Sequence, residues 1–119
     1  MSTRTVVLSA AASNLIVVAA AYAVHGWNVA GAHAAARNSA RLSALWFALA
    51  FAAPGLVRFF RGLPTPTTLV YSFFAAHLVH FLTVAVLLVR FEFSHVMQNP
   101  ARAAAVVLGG FTLVLVAAV

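Results

Sequence analysis

The chain has 119 residues, 65% of them hydrophobic, a mean hydropathy of +1.05 and a formal charge of +6. Only 7% of its residues are charged, against about 25% in a soluble domain, which places it in the membrane class. The lack of cysteine excludes disulfides, thiolate metal sites and cysteine-bound iron–sulfur clusters, and the single acid, Glu92, leaves no carboxylate pair for hydrolysis.

The arginines stand singly or in pairs at the ends of apolar runs, a pattern of headgroup anchoring and not of nucleic-acid binding. Residues 5–24 (TVVLSAAASNLIVVAAAYAV) form an uncharged run of 20 behind Arg4 and read as a first transmembrane helix. The competing reading is a cleaved signal peptide ending at Ala21-Tyr22-Ala23. The run, however, is longer than the usual apolar region of about 7–15 residues. Asn14 inside it suits a hydrogen bond between helices.

Residues 25–40 (HGWNVAGAHAAARNSA) interrupt the hydrophobicity and are expected at the membrane surface, with Trp27 at the interface. His25 and His33 are there expected to be solvated or interfacial. A second span over 42–58 follows, opened by Arg41 and closed by Arg58, with Pro54-Gly55 marking a kink or exit. The brief basic link 58–66 makes the second and third spans antiparallel neighbours.

The third span, 67–90, contains TTLVYSFFAAHLVHFLTVAVLLV, 23 residues without a charge. At about 1.5 Å per residue this run is roughly 35 Å long, enough to cross a bilayer. His77 and His80 sit near its middle among Phe73, Phe74 and Phe81. An imidazole at that depth is costly without a partner and marks a functional site. Three residues apart on one helix, the two cannot bind opposite faces of one haem iron. One of them could supply one axial bond, with the phenylalanines packed on the macrocycle. The alternative is hydrogen bonding between helices, to Asn14, Ser13, Ser43 or Tyr71.

Residues 90–100 (RFEFSHVMQNP) form a loop with His95, Met97 and Glu92, the last able to pair with Arg90 or Arg102 at little gain. Pro100 suits the first turn of a fourth helix over 102–119, and Gly109-Gly110 permits close packing. That run is apolar to Val119, which reads as a cut with more chain expected beyond it. Four spans put Arg4, Arg58 and Arg61 on one side and Arg37, Arg41, Arg90 and Arg102 on the other, with the N-terminus inside.

Read together, RLSALWFALAFAAPGLVR (41–58) and YSFFAAHLVHF (71–81) resemble the ferric reductase-like transmembrane domain family. Within it, the segments are most similar to the haem-binding membrane subunits of periplasmic methionine sulfoxide reductase systems. The resemblance covers roughly residues 37–119 and places His77 on the family's haem-ligand position, with His80 as the substitute. It implies haem b between helices and electrons passed from a flavin or quinol donor to a periplasmic acceptor. A bacterial inner membrane location, and about six spans of which this chain is an N-terminal part, are implied as well. Ala40 stands where the family often has glycine before the opening arginine.

The expectation is thus an all-α integral membrane protein of four transmembrane helices in an antiparallel bundle, one domain over residues 1–119. His77, with His80 as alternative, is the expected iron ligand, beside Phe73 and Phe81. Arg41, with Arg37, is the candidate for the haem propionates. On this reading no other span carries a histidine between its ends, so a later helix or a second subunit supplies the other ligand. Met97 is set aside as a loop residue. The reading from another class is a small accessory subunit, without catalysis, in a larger membrane complex.

Overall fold

The computed structural model describes residues 2–92 and 98–118, for Glu92 and Val116 the backbone alone. Among the described residues there are four α-helices, α1 Thr3–His25, α2 Val29–Leu56, α3 Pro66–Leu87 and α4 Pro100–Ala118. A π-helical turn, Leu88–Glu92, prolongs α3. The first three helices are long and apolar enough to cross a membrane, and α4 is a shorter apolar helix. The bundle measures 47 Å along its longest axis, close to the roughly 40–45 Å of a bilayer with its headgroups.

The main departure from expectation is the start of α2. Residues 29–40, expected at the surface, are helical, and α2 runs 28 residues from Val29. Only Gly26, Trp27 and Asn28 separate it from α1. Asn28 makes this turn. Its side-chain Oδ1 accepts from Gly31 N at 3.0 Å as the N-cap of α2, while Nδ2 donates to His25 O at the end of α1, 2.8 Å. Gly26 ends α1 with φ of 81°, a left-handed conformation that glycine adopts at no steric cost. Past the cap, Ala32, Ala34, Ala35 and Ala36 favour helix, so one polar turn does not stop it.

The other boundaries follow their signals. Thr65 caps α3 by accepting from Thr68 N, and Pro66 takes the first turn, where its missing N–H costs nothing. Pro54 falls in the last turn of α2, which exits after Leu56. At the start of α4, Asn99 Oδ1 accepts from Ala101 N and Arg102 N. Glu92's proposed ion pairs, His95 and Met97 lie outside the described residues.

Helices α1, α2 and α3 pack against each other, α2 and α3 most extensively, and α4 rests on α3. The interior is built mostly of small side chains, with Val6, Leu69, Phe73 and Leu87 the larger buried ones. Ala10, Ala32, Ala35, Ala53 and Ala76 are sealed, and the largest fully buried side chains are Asn14, Ser39 and Ser72. Leu8, Ile16, Phe51, Phe59 and Val89 point outward. Small residues inside and large apolar ones outside suit helices packed in lipid, where contact and hydrogen bonds, not water exclusion, hold them together.

Three hydrogen bonds set the register. Thr3 Oγ1 meets Thr68 Oγ1 at 3.0 Å, which levels the starts of α1 and α3. Asn14 Nδ2 donates to Ala76 O of α3 at 2.7 Å and, more weakly, to Ser39 O of α2 at 3.4 Å. Asn14 is the midpoint of the apolar run of α1, and Ala76 lies near the midpoint of that of α3. Ser39 is therefore level with the middle of both neighbours.

Candidate functional site

The register brings two serines of α2 against the two histidines of α3. Ser39 and Ser43 are four apart on α2, and His77 and His80 three apart on α3, so each pair shares a face. Running antiparallel, they match Ser43 Oγ to His77 Nδ1 at 3.0 Å and Ser39 Oγ to His80 Nδ1 at 2.9 Å. The imidazoles have their rings 5.7 Å apart. Phe73 packs against His77 with ring centres at 5.2 Å and the rings tilted by 32°, and Phe47 meets Phe73 edge-on at 5.3 Å.

Ser39 Oγ lies within hydrogen-bond distance of Ala36 O, 3.0 Å, and of His80 Nδ1, 2.9 Å. Giving its one proton to Ala36 O makes it the acceptor of an Nδ1–H from His80, the tautomer that leaves the ring's lone pair on Nε2. That Nε2 makes no hydrogen bond among the described residues and is not sealed inside. His77 differs: its Nε2 is buried and has no hydrogen-bond partner among the described residues.

Both histidines line a cavity of about 300 Å³ between α2, α3 and α4. That is at the small end of the roughly 300–1,000 Å³ of small-molecule sites. His33 of α2, Phe81 of α3, and Arg102 and Gly109 of α4 also line it, with aliphatic side chains between. The ring of Phe81 occupies the space beside Gly110, where a Cβ would come within 3.3 Å. His77 and His80 also border a second cavity of about 260 Å³ on their other side, with Phe47 and Phe73.

The structure thus brings together His77, His80 and Phe81, with Phe73 against His77, and adds His33 and Arg102. His33 is on a helix facing the pair, not in a surface segment, which corrects the expectation that α2 offers no imidazole. Its apolar neighbours within α2 are alanines, too small to reveal a buried face by hydropathy. Arg41 is elsewhere. It lies two residues from each of Ser39 and Ser43, about 200° around the helix, so it cannot share their face. It lines a groove between α1 and α2 with His25. The partner of His80, Ser39, was also missed, since a serine on an expected surface segment carries no sign of depth.

The chemistry of the set narrows what it can hold. Among the described residues no three histidines or carboxylates are close enough to bind a bare metal ion. A haem iron asks only one or two imidazoles of the protein, with apolar walls and a cation for its carboxylates. The donors present fit that group in kind. No family model, curated protein or solved structure matches the chain.

Proposed function

We propose that the chain is a haem b-binding membrane protein that carries electrons across the bilayer. The observation that carries this reading is the meeting of His33, His77, His80 and Arg102, from three helices, in one otherwise apolar cavity. When bound, haem b would supply reversible one-electron chemistry. The chain's part is to hold and orient it. His80 is the residue that would hold the iron, because Ser39 anchors its Nδ1 and its Nε2 is not sealed. His77 is second, since its Nε2 is sealed. His33, which lines the same cavity from the facing helix, would be the candidate for a second ligand. Phe81 and Gly109 would pack on the macrocycle, and Arg102, not Arg41, would pair with a propionate. The resemblance to ferric reductase-like domains supports the same cofactor. With it come a flavin or quinol donor, a periplasmic acceptor and a bacterial inner membrane.

The test is an absorption spectrum of the full chain, purified in detergent after expression with added haem precursor, oxidised and then dithionite-reduced. A Soret band that shifts on reduction, survives in Arg41→Gln and is lost in His80→Ala is the expected result. No band in the haem-supplied protein would sink the reading.

A second reading is favoured by the Ser39 and Ser43 bonds themselves, which give each imidazole a partner across helices without any cofactor. The histidines would then fasten α2 to α3 in a small accessory subunit of a larger membrane complex. In that case His80→Ala lowers stability and no preparation shows a Soret band.

A further inference from the structure

The groove on the opposite side of the bundle poses a problem of charge. Arg41 lies between Ser39 and Ser43, and those two serines are level with Asn14, Ala76 and His77 at the middle of α1 and α3. If the three helices span a bilayer together, Arg41 stands near mid-depth. Its side chain is exposed on the outer face of α2, and Arg37, one turn toward the α1–α2 turn, is exposed as well. Neither makes a hydrogen bond or ion pair among the described residues.

A guanidinium there is not tolerated bare. Insertion of an arginine at the centre of a membrane helix costs about 2.5–3.5 kcal/mol even when it can snorkel. Cβ atoms tilt toward the helix N-terminus, so Arg41 snorkels toward the α1–α2 turn. The headgroups are about 15 Å from mid-depth, half the hydrocarbon core. An extended arginine covers less than half that distance. A lipid phosphate at its usual height is therefore out of reach.

Beside Arg41, the groove between α1 and α2 measures about 610 Å³. Ala20 and Ala21 give it a shallow α1 wall, Leu42 and Leu45 continue it below, and Asn38 and His25 add polar atoms above. Alanines along a groove let another helix approach closely. Within these 119 residues the only acidic side chain, Glu92, follows the end of α3, so a second copy of this stretch brings no acid to this depth.

We propose that the α1–α2 groove is the docking surface for a transmembrane helix that carries an aspartate or glutamate at mid-depth and pairs it with Arg41, with Arg37 as the neighbouring cation. The occupant is defined by its carboxylate, which these 119 residues do not provide. The inference is independent of what fills the histidine cavity on the other side of α2, and the two fail separately.

The probe is a synthetic leucine–alanine transmembrane peptide with one central glutamate, and its glutamine twin. The full chain, labelled at Ser2→Cys, is reconstituted with each peptide in phosphatidylcholine vesicles, and association is read by energy transfer at alkaline pH. The expected result is a preference of about tenfold for the glutamate peptide. It is abolished in Arg41→Gln, weakened in Arg37→Gln and retained in Arg41→Lys, which guards against simple misfolding. Equal binding of the two peptides would overturn the proposal, as would a glutamate preference that survives Arg41→Gln. Arg41-dependent retention of phosphatidylglycerol, seen by native mass spectrometry without any peptide preference, would replace the helix by a lipid phosphate and overturn it too. So would self-association of the chain without a peptide preference.

Discussion

Among the described residues at mid-depth, Asn14, Ser39, Ser43, His77 and His80 are each tied to a neighbouring helix by a hydrogen bond, and Arg41 is not. Ser39 holds the His80 ring through its Oγ–Nδ1 hydrogen bond, 2.9 Å. If haem is bound, Ser39→Ala removes the hydroxyl that orients the His80 ring, and affinity for haem should fall by about 10–100-fold, while Ser39→Thr restores it. Haem titration of the stripped protein checks this, and the absorption maxima of the threonine variant should match the wild type. Asn14 is a stability residue by contrast. It joins α1 to both other spans, and Asn14→Ala should cost about 1 kcal/mol, the order of an interhelical hydrogen bond in a membrane protein, measured by denaturation in mixed micelles. His77 and His80 could be read from the sequence because a polar pair stands out in a run of 23 uncharged residues. His33 could not, since Gly26, Asn28, Gly31, Arg37 and Asn38 around it lower the local hydropathy to that of a loop.

At the scale of elements, that error comes down to one helix start. An N-cap asparagine at 28 turns a polar segment into the first three turns of α2, and everything on α2 shifts in phase and depth with it. Arg41 moves from a surface anchor to the middle of a helix, and His33 from solvent to a cavity wall. The caps at Thr65-Pro66 and Asn99-Pro100 were legible because proline fixes the first turn, whereas Asn28 has no proline beside it. The α1–α2 turn is tight enough to test. A Cβ on Gly31 would collide with the Gly26 carbonyl and come within 3.1 Å of the Tyr22 ring. Gly31→Ala should therefore destabilise the hairpin by about 1–3 kcal/mol. Asn28→Ala, which loses both caps, should cost about 1–2 kcal/mol. The same micelle denaturation reads both, and an unchanged midpoint for Gly31→Ala would mean that the turn is looser than its contacts indicate.

At the scale of the molecule, the open question is whether α4 completes a crossing. Three helices are long enough to span by length and composition, and α4 is shorter. Its packing argues for a crossing. Arg102 and Leu87 line the same end of the histidine cavity, while Gly109 and Gly110 lie against Phe81, so α4 descends along α3 in the opposite direction. Its 19 residues at about 1.5 Å each give roughly 28 Å, nearly the thickness of the hydrocarbon core. Since α1 and α3 begin level and parallel, an α4 that crosses brings residue 118 back to the side of Ser2. The chain has no cysteine, so single cysteines report without background. Ser2→Cys and Ala118→Cys, treated in sealed vesicles with a membrane-impermeant maleimide, should label from the same side. Labelling from opposite sides would make the bundle a three-span structure with α4 lying at the surface. The histidine cavity would then lose the wall that carries Arg102 and Gly109, and the haem reading would have to find its third wall elsewhere.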